Sequence, residues 1–293
     1  MSLPFVKMHG LGNDYVYVVT DNDALLDTAP RLAQRISDRH RGVGSDGLIL
    51  ILPATRPDAD ARMVMYNADG SRAQMCGNGV RCVGKLVWDD DIARRNPLRI
   101  ETDAGVLSLD LRLGSENRVE AVRVDMGPAI FEADRIPIDA NRLKNTAPGG
   151  PLIRVGLVGG PADDLAFTCL SMGNPHAVCF VDDLQSVPLT DWGPWIERHA
   201  AFPARVNIHF ARVDSPARIE MMTWERGSGV TQACGTGACA VAVAGVLEDR
   251  TERAVTTVLP GGELKIEWDR DENRVYMTGP ATEVFRGVWP EGA

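Results

Sequence analysis

The chain has 293 residues, of which 44% are hydrophobic and 24% are charged, and its formal net charge is −9. This composition is typical of a globular protein with one or two domains, and the negative charge argues against a general nucleic-acid or anionic-membrane surface. The N-terminal residues lack the apolar core of a signal peptide, and no apolar run is long enough to span a membrane. Six cysteines are too few for a disulfide scaffold, so we expect free thiols and a cytoplasmic location.

Short β-rich runs and two kinds of helix follow one another along the chain. The first half predicts strands at YVYVV, LILIL, RMVMY, LSLDL and VRVDM, separated by Gly, Pro, Asn and Asp. A polar-faced helix is expected at about 30–40 and again at about 190–200, and a second helix at about 79–89 and 237–248. The last helix is apolar almost all round, which predicts that it is buried.

An internal repeat organises these elements. MVMYNADGSRAQMCGNG (63–79) matches MMTWERGSGVTQACGTG (221–237), and HGLGNDYVYVV (9–19) matches LSMGNPHAVCFV (170–181). Further matches follow in the same order, and a Pro/Gly-rich stretch at 145–152 separates the copies. We therefore predict an α/β fold of two pseudo-symmetric domains, each a mainly antiparallel β-sheet wrapped around a central helix.

The repeat places Cys76 and Cys234 at equivalent positions, each at the predicted start of a helix. The unpaired N–H groups and the macrodipole of a helix N-terminus favour a thiolate, so a lowered pKa is expected for both thiols. The N–H groups of Gly77-Asn78 and Gly235-Thr236 are suited to binding a carboxylate. Two thiols on opposite faces of one carbon could act as base and acid and invert its configuration.

Other interpretations of these motifs are weaker. Cys82, Cys169, Cys179 and Cys239 are interpreted as buried structural cysteines, and the cysteine spacings do not fit a zinc site. GVGSDG (42–47) and GTGACA (235–240) resemble nucleotide-binding glycine motifs, but neither has the strand–turn–helix context that such a motif requires.

The motifs HGLGNDY, NADGSRAQMCGNGVRC, SMGNPHAV, WERGSGVTQACGTGACA and MTGPA resemble those of the diaminopimelate epimerase family. This resemblance, from near residue 5 to near 290, implies interconversion of LL- and meso-diaminopimelate for lysine and peptidoglycan synthesis. It implies no pyridoxal phosphate or other cofactor, no metal, and a homodimer. It also implies that the chain returns to its first domain, which gives domains of 1–130 plus about 281–293, with Cys76, and 131–280, with Cys234.

The resemblance also implies roles for individual residues. Cys76 and Cys234 form the acid/base pair, and His176 and Glu225 adjust the thiol pKa values. The substrate-binding residues carried over by motif are Asn13, Asn67, Gly77, Asn78, Asn174, Asn207, Glu225, Arg226, Gly235 and Thr236. Purely structural roles remain the alternative for His176, for the asparagines as turn residues, and for Glu225 and Arg226 as a solvated pair.

One departure from the family pattern and two alternative functions stay open. Many family members have Gln where this chain has Gly47, so a substrate contact there is in doubt. Proline racemase and hydroxyproline epimerase share the two-thiol plan, but they typically have His at the position of Asn78 and need no distal Glu225-Arg226 pair. A non-catalytic amino-acid-binding module is the alternative from another class, although it would not need both cysteines.

Overall fold

A computed structural model describes residues 2–147, 149–161 and 163–290. The strands are β1 (Leu3–Gly10), β2 (Asn13–Val19), β3 (Gly47–Leu52), β4 (Ala61–Asn67), β5 (Arg72–Ala73), β6 (Leu98–Thr102), β7 (Gly105–Leu113), β8 (Val119–Asp125), β9 (Leu143–Lys144), β10 (Leu152–Leu157), β11 (Ala166–Ser171), β12 (Pro175–Phe180), β13 (Asn207–Ser215), β14 (Arg218–Glu225), β15 (Gly229–Val230), β16 (Ala254–Leu259), β17 (Gly262–Asp269), β18 (Arg274–Pro280) and β19 (Thr282–Trp289). The α-helices are α1 (Leu25–Ser37), α2 (Gly77–Asp89), α3 (Leu189–Glu197) and α4 (Gly235–Leu247). In the described ranges, no helix is long and apolar enough to cross a membrane.

The chain divides into two compact units. The first unit comprises Met1–Asp125 and Thr278–Ala293, and the second comprises Met126–Met277. The second stretch of the first unit contains β19, which pairs antiparallel with β1 from Leu3 opposite Trp289 to His9 opposite Thr282. The first unit is therefore built from two separated parts of the chain, whereas the second is continuous.

The two units repeat one sequence of strand pairings. In the first, β1 and β2 are antiparallel, β2 and β3 parallel, β3 and β4 antiparallel, and β4 and β6 parallel. In the second, the same pattern relates β11 to β12, β12 to β13, β13 to β14, and β14 to β16. The helices follow the same order, with α1 corresponding to α3 and α2 to α4. The predicted fold of two pseudo-symmetric, sheet-dominated α/β halves is confirmed.

Two α-helices pack against the strands of each unit. In the first unit α2 packs against β1, β2, β7 and β8, whereas α1 packs against β3 and β4. Strands between two helical layers bury both faces, and all six residues of β3 are buried as a result. In the second unit α4 packs against β11, β12, β16 and β17, and it is buried nearly throughout its length as predicted.

The two surface helices differ from the predicted ranges. The helix expected at 30–40 is Leu25–Ser37, and the helix expected at 190–200 is Leu189–Glu197. The first ends early because the Asp38 carboxylate accepts hydrogen bonds from the backbone N–H groups of His40 and Arg41, at 2.8 and 2.9 Å. An Asp side chain that binds the backbone two and three residues ahead favours a turn over further helix.

Candidate active site

Cys76 is the N-cap residue of α2. Its backbone is extended, with φ −138° and ψ 120°, and its sulfur accepts a hydrogen bond from the Gly79 N–H at 3.4 Å. A capping side chain normally supplies an oxygen for this bond, so the sulfur here replaces that oxygen at the positive end of the helix. The N–H groups of the first helical turn, which includes Gly77 and Asn78, lie at this positive end of the helix and point away from its body. The predicted position of Cys76 at a helix start is confirmed.

Asn13 lies beside Cys76 because a tight hairpin places it there. Leu11 and Gly12 form the turn between β1 and β2 with φ 59° and 83°, the left-handed values that a two-residue hairpin turn requires. The Cys76 thiol lies 3.5 Å from Asn13 Oδ1, which also accepts from Asn78 Nδ2 at 3.3 Å. Three of the residues selected from the sequence therefore meet in one hydrogen-bonded group.

Asp46 fixes the orientation of the Asn13 amide. Asn13 Nδ2 donates to Asp46 Oδ2 at 2.7 Å, and a carboxylate can only accept, so the amide oxygen must face Cys76. Arg39 bridges Asp46 and Asp14 with Nη2–oxygen distances of 2.8 Å, and Lys7 pairs with Asp14 from the other side. Burial raises the pKa of Asp14, but the hydrogen bonds and charges of Arg39 and Lys7 outweigh it and lower the pKa overall.

Tyr15 is a neighbour of Cys76 that the sequence analysis missed. Asn13, Tyr15 and Tyr17 alternate along β2, so their side chains share one face of the strand. Burial, followed by the nearby Cys76, raises the pKa of Tyr15 well above its usual value, so the phenol stays protonated. The Tyr17 hydroxyl donates to the Gly79 carbonyl at 3.4 Å. The alternation that predicted the strand could also have placed both tyrosines on the same face as Asn13.

Asn67 and Gly47 lie opposite each other on neighbouring strands of the first unit. Asn67 ends β4, and its Nδ2 donates to Ser71 Oγ at 2.9 Å. A Cβ at Gly47 would lie 2.2 Å from the Tyr66 carbonyl oxygen and 3.0 Å from Tyr15 Cε1. This backbone therefore leaves no space for the glutamine side chain that many family members have, and Gly47 contributes no side-chain contact.

Cys234 is the N-cap residue of α4, with φ −113° and ψ 103°, and is 5% exposed. Its sulfur lies 3.7 Å from the hydroxyl oxygen of Thr236. The expectation of a lowered pKa is wrong for this thiol. Burial, and then the negative charge of Glu225, raise the pKa of Cys234 well above its usual value, although Thr236 and the N–H of Gly237 act in the opposite direction. Cys234 is therefore held as a thiol.

A chain of hydrogen bonds connects Thr236 with two buried histidines. Asn174 Nδ2 donates to Thr236 Oγ1 at 3.4 Å, and Asn174 Oδ1 lies 2.9 Å from His176 Nε2. His176 Nδ1 is 2.9 Å from His209 Nε2, and His209 Nδ1 is 3.0 Å from Thr223 Oγ1. Burial lowers the pKa of His176 well below its usual value and that of His209 to about 3, so both rings are neutral. Nothing in the sequence pattern singled out His209.

Glu225 and Arg226 lie where β14 ends. Glu225 Oε1 accepts from the Thr231 hydroxyl at 2.7 Å, and the Arg226 guanidinium donates to the Ala204 carbonyl at 3.0 Å. Asn207 Oδ1 accepts from the Arg226 N–H at 3.0 Å, and Asn207 Nδ2 donates to the Pro175 carbonyl at 2.9 Å. The amide of Asn207 is thus engaged with the backbone at both ends, and it positions Arg226.

Glu197 is a second residue that the sequence analysis missed. It is 3% exposed, and its carboxylate accepts from Trp224 Nε1 at 2.8 Å and from the Gly227 N–H at 3.1 Å. These bonds hold the chain on both sides of Glu225 and Arg226. A buried carboxylate with several donors is well satisfied and fixes the backbone that supplies them.

Solved structures with this architecture include epimerases and racemases. The PhzF-family phenazine biosynthesis protein of Bacillus anthracis superposes with a TM-score of 0.70 at 15% identity, over 99% of both chains. A probable proline racemase of Agrobacterium radiobacter K84 superposes with a TM-score of 0.64 at 17% identity, over 97% of this chain and 92% of the other. At these identities the likeness defines the class of fold, a duplicated α/β fold found in epimerases and racemases.

Sequence relatives define the family within that class. The family model described as diaminopimelate epimerase matches residues 5–132 and 168–284. The diaminopimelate epimerase of Desulfitobacterium hafniense is 47% identical over 294 residues, which span 99% of both chains. The chain belongs to the diaminopimelate epimerase family, which is a family of isomerases, and the resemblance found in its motifs is confirmed.

Proposed function

We propose that the protein interconverts LL- and meso-2,6-diaminopimelate by proton exchange between Cys76 and Cys234. The observation that carries the proposal is that both cysteines are N-cap residues of corresponding helices in the two repeated units. Membership of the diaminopimelate epimerase family supports the substrate. We also propose that the reaction needs no cofactor or metal and serves lysine and peptidoglycan synthesis in the cytoplasm.

The proposed step breaks the Cα–H bond on one face and forms a new one on the other. The Cys76 thiolate takes the proton, and the electron pair stays on the carbon and its carboxylate. The Cys234 thiol then gives its proton to the opposite face, which leaves Cys76 as a thiol and Cys234 as a thiolate. The raised pKa of Cys234 supports its role as the acid in this direction. The reverse reaction exchanges the two roles.

The helix N-termini would stabilise the negative charge that develops during this step. The first-turn N–H groups at Gly77-Asn78 and Gly235-Thr236 have the character of an anion site, which suits the carboxylate at the reacting carbon. Asn13, Asn67, Asn174 and Asn207 would bind or position the remainder of the substrate. His176 would act on the thiols through Asn174, and Glu225 through its charge beside Cys234.

The distal end of the substrate is a second amino-acid centre. We propose that Glu225 binds its ammonium and that Arg226 binds its carboxylate through a bidentate pair. At the corresponding end of β4 the first unit has Asn67, which carries no charge. This difference between the repeats supports a substrate that reacts at one end and is bound through charged groups at the other. The uncharged Asn78 also replaces the histidine expected of a proline racemase.

Deuterium incorporation tests the proposal. The protein is incubated with LL-diaminopimelate in deuterated water with a metal chelator and no added cofactor. We expect deuterium at one α-carbon together with the meso product, and no activity in Cys76→Ala or Cys234→Ala. Cys169→Ala, which changes a buried cysteine of strand β11, should remain active. A strict requirement for pyridoxal phosphate or zinc would refute the mechanism.

We further propose that the protein forms a homodimer. Val284 and Val288 both belong to β19 and are 54% and 60% exposed. Exposed apolar residues close together on one strand form a patch of the kind that another chain covers. Sedimentation of the wild type and of the double variant Val284→Lys/Val288→Lys tests this. A wild type that sediments as a monomer, like the variant, would refute the proposal.

A further inference from the structure

His209 is a buried histidine that is not one of the proposed substrate-binding residues. It is 0% exposed, as is His176, and the two ring centroids lie 5.1 Å apart. A buried imidazole has to satisfy both ring nitrogens. His209 does so with Thr223 on one side and His176 on the other. The second histidine therefore continues the hydrogen-bond chain that starts at Cys234.

The donor and acceptor roles along this chain follow from Asn174. Its Oδ1 can only accept, so His176 Nε2 carries the proton and, in a neutral ring, His176 Nδ1 must accept. His209 then donates from Nε2 and accepts at Nδ1 from the Thr223 hydroxyl. Both rings thus hold their proton on Nε2.

The same donor and acceptor roles determine where the Thr236 hydroxyl can donate its hydrogen bond. Asn174, held by His176 through its oxygen, turns its Nδ2 toward Thr236 Oγ1. Because that oxygen accepts from Asn174, the Thr236 hydroxyl is available to donate to the Cys234 sulfur at 3.7 Å. A donated hydrogen bond favours the thiolate and therefore opposes the effect of burial on Cys234.

The ring of His209 also lies directly against the first turn of α4. A Cβ at Gly237 would lie 2.3 Å from His209 Cε1, which no side chain tolerates. Glycine at 237 is therefore required by the histidine beneath it. The ring supports the helix turn that carries Cys234 and Thr236.

We propose that His209 is a positioning residue for Cys234. It fixes the His176 tautomer, and through His176 and Asn174 it orients the Thr236 hydroxyl toward the sulfur. The inference rests on the proposed role of Cys234 and adds a residue that touches neither the sulfur nor the substrate. Without the Nε2–H of His209, the Asn174 amide is free to turn over. Its oxygen then accepts from Thr236 and takes that hydroxyl away from Cys234.

A pair of substitutions at His209 tests the proposal. Gln has a donor and an acceptor on one amide, so His209→Gln retains both bonds, whereas His209→Leu removes both at similar volume. We expect kcat/KM to fall about fivefold in the Leu variant with KM little changed, since the loss of one net hydrogen bond corresponds to about that factor. The Gln variant should recover most of this loss. Thr223→Val, which removes only the outer hydroxyl, serves if the Leu variant does not fold.

Two readouts do not depend on turnover. Long-range ¹H–¹⁵N spectra should show both histidines with the proton on Nε2 in the wild type, and a second His176 tautomer in Thr223→Val. Alkylation followed by peptide mapping should show Cys234 reacting about fivefold more slowly in His209→Leu, as loss of one hydrogen bond implies. Glu225, the ionisable group that faces Cys234, is the same in all variants, and Cys76 is the internal control.

The outcomes separate the two proposals. A His176 proton on Nδ1 in the wild type, or unchanged Cys234 reactivity in a folded His209→Leu, overturns the role of His209. Slower alkylation of both cysteines would indicate a general structural effect and would also overturn it. Full epimerisation by Cys234→Ala, in contrast, overturns the proposed function. The tautomer and alkylation measurements on the wild type and the His209 and Thr223 variants would still test the hydrogen-bond chain in that case.

Discussion

Asn13 and Asn174 occupy corresponding positions in the two units, but they are anchored through opposite ends of their amides. Asp46 holds the nitrogen of Asn13 at 2.7 Å, and His176 holds the oxygen of Asn174 at 2.9 Å. Asn13 consequently directs an acceptor toward Cys76, whereas Asn174 directs a donor toward Thr236. The two units therefore share the asparagine but present opposite ends of its amide, the oxygen in the first unit and the nitrogen in the second.

The anchor of Asn13 can be removed separately. Asp46→Ala deletes the carboxylate that fixes the amide, and we expect kcat/KM to fall by about tenfold to a hundredfold, since a hydrogen bond to a charged group contributes about 1.5–3 kcal/mol. Steady-state kinetics measures this. Asp58→Ala, which removes a carboxylate from an exposed pair with Arg56, is the control and should keep full activity. Equal activity of the two variants would show that the orientation of Asn13 does not matter.

Arg226→Ala should reduce kcat/KM by about 2–4 kcal/mol, because a charge-assisted bidentate pair with a carboxylate is poorly replaced. The loss is expected chiefly in binding and alignment of the distal centre. Arg212→Ala is a suitable control, because the side chain of Arg212 is also partly open to solvent but pairs with Glu220 at 2.7 Å. A folded Arg226→Ala protein that loses less than about 1 kcal/mol would assign the distal carboxylate to another residue.

Mild oxidation should link Cys76 to Cys234 when no substrate is bound. The proposed mechanism requires each thiol to reach the same carbon at about 3–3.5 Å, which would put the two sulfurs within about 7 Å of each other in the reactive complex. The same proposal predicts that the sulfurs can approach to the disulfide length of about 2.05 Å when the substrate is absent. Activity should be lost on oxidation, restored by a reductant, and protected by substrate. Non-reducing peptide mapping that finds Cys76 joined to a different cysteine would contradict this.

The neutral histidines make stability dependent on pH. Above an unfolded-state pKa of about 6.5, His209 is neutral in both states and has no effect. As the pH falls below that value the unfolded chain binds a proton, whereas the folded ring, with its pKa lowered to about 3, does not. The free energy of unfolding therefore decreases, by about 2 kcal/mol per such histidine at pH 5.

Urea unfolding at pH 7 and pH 5 checks this dependence. His209→Gln should lose less stability than the wild type between the two pH values, by about 2 kcal/mol, because glutamine does not titrate. His40→Gln, at an exposed histidine in the turn after α1, is the control and should leave the difference unchanged. Identical pH dependence of the wild type and His209→Gln would mean that the folded protein accepts a proton on His209.

The sequence predicted most of what depends on local pattern and repetition. The helix starts at Cys76 and Cys234, the buried α4 and the duplicated fold follow from glycine placement, hydrophobic period and self-similarity. The structure also brings Asn13, Cys76 and Asn78 together. These features depend on residues close together in the chain or on a comparison of its two halves, so one sequence is enough to predict them.

What the sequence did not predict depends on register between distant segments. His209 meets His176 because β12 and β13 pair in parallel with His176 opposite Asn207, and nothing local specifies that register. The pKa of Cys234 could not be predicted from the helix start alone, since burial outweighs the macrodipole there. The lack of space at Gly47 likewise depends on the Tyr66 carbonyl of the neighbouring strand.

The pairing of β1 with β19 has a consequence for synthesis on the ribosome. Cys76 is translated long before Cys234, yet its unit lacks one of its strands until Thr282–Trp289 has emerged. Until then one side of β1 has its backbone N–H and C=O groups open, and an open strand edge is a template for other chains. The continuous second unit has all its residues before that point. The half that is translated first is therefore completed last.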